Sequence, residues 1–346
     1  MVDQPTPEVG KQPGNARDEL TAVSRAHGGG ESLVTVIIAL VANGAIAIAK
    51  TVAAVLTGSA SMVAESAHSY ADTGNEIFLL IAEKRGKRPP DENHPRGHGR
   101  EAYVWAMFAA VGLFVAGAVL SIWHGVTALF ADHHEGTDYL INWIVLAVAF
   151  VFEGISFAQA TRQAHRLGRT FGLRPIAFAL RTSDPILRAV FFEDLAALLG
   201  LLLAAAGVGL HELTGNAVWD ALGSIAVGLL LGCVALILLV RNHDFLVGET
   251  VPKELWDEVL LRLLEHDEVE KVTYLHLEYV GPMSFFLVAA VDLVGDERET
   301  ELALRLRHLE RDLEEHEPVT DAVLTLSTRD EEGLRLPDGF GQVSQR

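Results

Sequence analysis

Glu65, His68 and Asp72 stand in the stretch SMVAESAHSYADTGNE, just after the first long apolar run of the chain. On a helix their spacing of i, i+3 and i+7 places two carboxylates and an imidazole on one stripe. The stripe falls in a segment long enough to cross a bilayer. Ionisable groups at that depth are expensive, and they face a bundle interior or a water-filled path where they bind or relay ions. A cation site buried in a membrane is the chemistry this pattern implies.

Other candidates are scattered along the sequence. Glu153, within LAVAFVFEGISFAQA, is a further intramembrane acid, placed either to line an ion pathway or to pair with a cation such as Lys50. Asn43 fits a hydrogen bond across helices, and Asp220 falls near the outer end of an apolar run, where water is available. His94 and His98 lie in a basic loop, which favours solvated or gating roles over tight metal binding. His133 and His134, beside Asp132 and Glu135, read as a solvated loop that could gather cations.

The elements that must position these groups follow from composition. Of 346 residues, 50% are hydrophobic and 21% charged, and the mean hydropathy is +0.27. That combination fits a membrane domain joined to a charged soluble one. Apolar runs at 33–56, 60–83, 102–130, 139–161, 188–212 and 219–240 give six expected spans. The second is the weakest because it carries the charged stripe. Lys84, Arg85, Lys87, Arg88, Arg96 and Arg100 follow span two, and Arg162, Arg166, Arg169, Arg174, Arg181 and Arg188 follow span four. These loops belong to the cytoplasmic side, which puts both termini there. Residues 1–31 are polar and aperiodic, a disordered tail and not a signal peptide. Cys233 is the only cysteine, so neither a disulfide framework nor a multi-thiolate metal site can form within one chain.

Past Arg241 the chain turns acidic, with 10 basic against 25 acidic residues in 242–346, a net of −15. Periodicity predicts a helix at 253–265, strands at 271–279 and 285–293, a helix at 299–314 and a strand at 322–328. That order suits a small two-layer α+β domain over 242–330, followed by a disordered tail at 331–346. Such acidity repels phosphate and argues against nucleic acid as a partner.

Together these motifs resemble the cation diffusion facilitators. The resemblance is carried by Asn43 and Lys50, TGSASMVAESAHSYAD, HPRGHGRE, FFEDLAALLG and WDALGSIAVGLLL. It implies an all-α six-helix transmembrane bundle over 32–241, a C-terminal ferredoxin-like cytoplasmic domain and a homodimer. The expected activity is proton-coupled antiport that exports a divalent transition metal, zinc first, from the cytoplasm. A bacterial inner membrane is the expected host. Neither enzymatic activity nor a prosthetic group is implied.

In that family a His/Asp-xxx-Asp pair in span two and another in span five hold the metal. Carried over, the first is His68 and Asp72, and the second Asp is Asp194. Its i−4 partner is Val190, which cannot bind a metal, while a tetrahedral site needs four ligands. Glu193 is the expected replacement, although helix neighbours diverge by about 100° and an unwound or tilted span would be needed. Glu65 is the competing fourth ligand, or a residue on the ion path. The family's tail-domain metal positions fall on Thr273, Ala289 and Leu326, none a ligand, which implies a domain that mainly supports dimerisation. One histidine with three carboxylates is oxygen-rich and leaves manganese, iron(II) or cobalt open as cargo. A non-transporting metal sensor or partner, and a passive channel, are the readings from other classes.

Overall fold

The computed structural model describes residues 33–130, 139–170, 172–315 and 319–336, without the side chains of 33–42 and 170. The expected N-terminal tail and the Asp132, His133, His134, Glu135 loop lie outside the described residues. The helices are α1 (Leu33–Thr57), α2 (Ala60–Gly86), α3 (Glu101–Leu129), α4 (Tyr139–Thr170), α5 (Pro175–Arg181), α6 (Pro185–Thr214) and α7 (Val218–Val247). Four of them, α3, α4, α6 and α7, are long and apolar enough to cross a membrane. The described apolar part of α1, Asn43–Thr57, is shorter, and α2 is interrupted by its acids and histidine.

Local chemistry sets the helix ends. Gly58, at φ 66°, makes the turn from α1 to α2 in the left-handed conformation that glycine adopts most readily. Asp220 of α7 then accepts from Ser59 Oγ at 2.9 Å, Ala60 N at 2.5 Å and Ser61 N at 3.2 Å. A carboxylate there satisfies the orphan amides of the first turn and complements the helix dipole. Asp220 is 4% exposed, so the expectation that water reaches it is corrected. It is a buried cap tying α7 to α2.

Asp184 caps α6 in the same way, accepting from Ile186 N and Leu187 N, with Pro185 at the first helical position. Span five therefore starts three residues before the expected 188. Arg188 is not a loop residue: it is fully buried and donates to Thr182 O at 2.8 Å and Asn242 Oδ1 at 2.5 Å. The short helix α5 was not legible as a separate element. Within α3, residues Leu113–Val119 wind as a π-helix. Gly125 and Gly228 let α3 and α7 approach closely, a Cβ at Gly228 falling 2.9 Å from Ala118 O.

The C-terminal domain comprises α8 (Lys253–Leu264), β1 (Val269–Gly281), β2 (Ser284–Leu293), α9 (Glu299–Glu314) and β3 (Val319–Leu326). This is the expected αββαβ order. β1 and β2 pair antiparallel, and β2 and β3 pair parallel through the α9 crossover, giving the order β1-β2-β3. Leu260, Leu263, Leu277, Leu287, Val291 and Leu309 fill the core. Ordered contacts run beyond the expected boundary at 330. Leu334 N donates to Val272 O at 2.7 Å, and Lys271 Nζ donates to Arg329 O and Glu331 O. The disordered tail expected from 331 is therefore corrected for 331–336, whose leucines pack on the sheet.

The β1–β2 turn docks on the helical bundle. A Cβ on Gly99 would lie 2.6 Å from Val280 O and 2.8 Å from Gly281 Cα. Met283, at φ 53°, donates its amide to Ser183 Oγ at 3.0 Å. Arg100 pairs with Glu278, and the Arg96 guanidinium sits 3.7 Å from the centre of the Phe286 ring. Because backbone meets backbone at Gly99, Gly99→Ala should destabilise the protein by about 1–3 kcal/mol. Thermal unfolding of the purified protein checks this, and an unchanged midpoint would contradict the close approach.

Candidate metal centre

Helices α1, α2, α4 and α6 enclose a cavity of about 160 Å³, enough for several waters or a hydrated cation. Its walls carry Asn43 and Ile46 of α1; Ser69, Asp72, Glu76 and Leu79 of α2; Phe152, Glu153 and Ser156 of α4; and Val190, Glu193 and Asp194 of α6. Five carboxylates face one space, and among the described residues no Lys or Arg lines it. Neutral donors hold three of them: Asn75 Nδ2 donates to Glu193 Oε1 at 2.9 Å, Ser156 Oγ to Asp194 Oδ2 at 2.7 Å, and the Asn43 amide to Glu76. Such partners orient a ligand without cancelling its charge. The π-helical segment of α3 begins beside Gly112, which packs near Asn75 Oδ1.

The structure sorts the sequence candidates. Asp72, Glu193 and Asp194 meet at this cavity. Glu193 and Asp194 both line it although α6 stays helical throughout, so no unwinding is needed. A cavity this wide takes adjacent side chains on either side, one steadied from α2 and the other from α4. Val190 occupies the wall at the expected i−4 position and offers no ligand. Glu153 lines the cavity, and Lys50 makes its close ion pair with Glu65 and acts on Glu153 only across space, while Asn43 bonds across to α2.

His68 is fully buried and does not line the cavity. Its Nδ1 lies 3.2 Å from Asp72 Oδ1, but neither ring nitrogen makes a hydrogen bond among the described residues. Glu65 is corrected as a ligand within the cavity, because its carboxylate is bound by Lys50 at 2.9 Å with both side chains 0% exposed. Sequence reasoning missed Glu76, Asn75 and Ser156. Glu76 had a signal: it continues the stripe one turn past Asp72.

Buried polar atoms are rarely left unpaired, yet Glu65 Oε1, His68 Nδ1 and Nε2, Asp72 Oδ1 and Glu76 Oε2 all lack hydrogen-bond partners among the described residues. Their chemistry is that of a donor set for a divalent cation. They are not drawn into a closed shell. Among the described residues, the group whose ligand atoms lie within 4.8 Å of one another is Asp91, His94 and His98.

That second cluster sits in the loop between α2 and α3, where the sequence favoured solvated or gating histidines. His98 is 7% exposed and clamped on both sides, Nε2 to Asp91 Oδ2 at 3.0 Å and Nδ1 to Glu101 Oε1 at 2.6 Å. The His94 ring lies 4.0 Å from the His98 ring, and its Nδ1 is 3.1 Å from Asp91 Oδ1. Asp91 and then Glu101 hold the His98 pKa above the usual imidazole value, and His98 with the His94 amide holds Asp91 below the usual carboxylate range. A metal taking this cluster must displace the His98 proton.

Residues 36–247 match the family described as the cation efflux transmembrane domain. The chain belongs to the cation efflux family. It is therefore a multi-pass membrane protein of a transporter family. Relatives include the proton-coupled zinc antiporter SLC30A9, mitochondrial, of Xenopus laevis, 38% identical over 235 residues, or 67% of this chain and 41% of that protein. The human protein of the same name is 35% identical over 233 residues, 67% of this chain and 40% of its own length. Metal tolerance protein C4 of Arabidopsis thaliana is 34% identical over 234 residues, covering 68% and 51%. The chain spans about two fifths to one half of the length of these curated relatives.

The clamp fixes a pH dependence. A raised His98 pKa means the charged clamp stabilises the loop fully below the unfolded value of about 6.5 and loses that contribution as pH rises through the folded value. NMR titration of the His98 ring should give a midpoint above about 6.5, and Asp91→Asn should bring it down. A midpoint at or below that value in the unsubstituted protein would contradict the clamp.

Proposed function

We propose that this cation efflux protein is a proton-coupled antiporter that exports a divalent transition metal from the cytoplasm, zinc first. The observation that carries this reading is the cavity itself, where five carboxylates from α2, α4 and α6 face one space with no Lys or Arg on its described wall. Asp72, Glu193 and Asp194 serve as ligands there, Glu76 and Glu153 add oxygen donors, and His68 stands behind Asp72. Ionised carboxylates and neutral imidazole bind the metal, and the same groups take up protons once it leaves, so affinity drops as the medium becomes more acidic. Rocking of helix packs around the site exposes it to each side in turn.

In this reading α1 and α2 are spans one and two of six, and residues 32–241 form the membrane domain. Residues 242–330 form a ferredoxin-like domain on the cytoplasmic side, which supports a homodimer, and both termini lie on that side. Transport, and not catalysis, is the activity. Zinc and proton coupling rest on the SLC30A9 relatives, which are named proton-coupled zinc antiporters. Those names also say mitochondrial, which sets an organelle membrane against the bacterial inner membrane as host. The oxygen-rich wall favours manganese, iron(II) or cobalt as competing cargo. A sensor or partner without flux is the remaining reading.

Asp72→Asn and His68→Ala should each lower metal-dependent proton flux in proteoliposomes by at least about tenfold. Flux equal to the unsubstituted protein in both variants would refute the assignment. In side-by-side assays zinc should move faster than manganese; equal or faster manganese would move the cargo to the harder ion.

A further inference from the structure

Of the four helices long and apolar enough to cross a membrane, α4 is the least covered by the rest of the chain: 17% of its apolar window is buried, against 39% for α3 and 50% for α6 and α7. Ile144, Val148, Val151 and Ile155 stand exposed on it. Their spacing of i, i+4, i+7 and i+11 puts them on one stripe, which in a bilayer lies against acyl chains. Continued toward the C-terminus, the same stripe meets Arg162, Arg166 and Arg169, all exposed. From Tyr139 to Arg162 the helix rises about 35 Å. That exceeds a hydrocarbon core of roughly 30 Å, so the face that touches acyl chains turns basic where the headgroups begin.

The chain then doubles back. Gly172, at φ 63°, makes the turn, and Leu173 N returns to Gly168 O at 2.8 Å. On α5, Phe178 and Ala179 are buried, while Ile176 and Leu180 stay exposed. Arg174 and Arg181, also exposed, flank that helix and share one side of it by their i, i+7 spacing. Between Glu153 and Asp184 the sequence has five arginines and no acid. None of the five guanidiniums has an ion pair or hydrogen bond among the described residues. Arg241 beside them is different: its Nε donates to Leu180 O, and Asp244 and Glu249 take its other nitrogens.

We propose that this elbow, from Arg162 to Arg181, binds anionic phospholipid in the leaflet at that end of α4. Guanidiniums suit phosphate through paired N–H donors. The arginines are strung along a surface and do not converge on a pocket, which fits several headgroups side by side better than one soluble anion. Exposed Ile176 and Leu180 next to Arg174 and Arg181 give acyl chains a contact that a soluble anion would not use. The inference is independent of the transport reading and of the identity of the cargo.

The test is native mass spectrometry of the full-length protein in detergent, titrated with phosphatidylglycerol or with phosphatidylcholine of the same chains. Phosphatidylglycerol should bind at least about tenfold more tightly. Arg162→Gln, Arg166→Gln and Arg169→Gln together should remove at least about tenfold of that affinity, and the same three positions as Lys should keep most of it. Arg298→Gln with Arg311→Gln, in the C-terminal domain, should change nothing. Thermal unfolding confirms that each variant is folded. Equal binding of the two lipids overturns the proposal, and so does a folded triple Gln variant that retains the preference. Displacement of the lipid by millimolar inorganic phosphate would also overturn it, because the elbow would then be a site for a soluble anion.

Discussion

Negative charge gathered on one cavity wall, with no Lys or Arg among its described lining residues, is the constraint around which this protein is organised. Asp72, Glu76, Glu153, Glu193 and Asp194 share one cavity wall, and their hydrogen-bond partners there are the neutral groups of Asn43, Asn75 and Ser156. Charges buried this way demand a counter-ion or protons. A soluble core would meet the demand with a permanent Arg or Lys. Here Lys50, the cation beside the stripe, is bound by Glu65 outside the cavity and acts on Glu153 and Asp72 only across space, so no basic side chain stands on the described wall.

Keeping such a wall in place requires rigid supports elsewhere, and the bundle supplies them away from the cavity. Asp220 locks the start of α2 to α7 with three hydrogen bonds, and Ser61 Oγ returns a bond to Asp220 O at 2.8 Å. Gly207 and Gly223 leave room for that serine. Asp184 and Pro185 fix where α6 begins, and hence which of its residues reach the cavity. Arg188, just over one turn before Glu193, directs its charge to Thr182 O and Asn242 and does not reach toward the acids.

Much of this was legible in the sequence because membranes exaggerate the signals. A carboxylate in an apolar run announces itself, and Asp72, Glu153 and Glu193 with Asp194 were found that way or through the family motif. The αββαβ order followed from periodicity alone. What stayed hidden depends on three-dimensional pairing. Asp220 looked solvent-facing because its run ends nearby, but the neighbouring helix start buried it. Lys50 had two acids to choose from, and only the packing of α1 on α2 selects Glu65. Two features of the acid wall required the fold: the space that lets adjacent Glu193 and Asp194 share it, and the asparagine and serine that steady them. The π-helical stretch at Leu113–Val119 has no compositional mark at all.

The C-terminal domain also has a place in this electrostatic scheme, through geometry and not through ligands. Its β1–β2 turn touches two points of the bundle, Gly99 just before α3 and Ser183 just before α6. Both contacts run through backbone or a short side chain, so they tolerate little change in spacing. α6 carries Glu193 and Asp194, while α3 begins at the residue that clamps His98. One turn of the C-terminal domain thus sets the distance between the loop cluster and the helix bearing the α6 carboxylates. A rearrangement that separates those two must either break the Gly99 contact or carry the whole sheet with it.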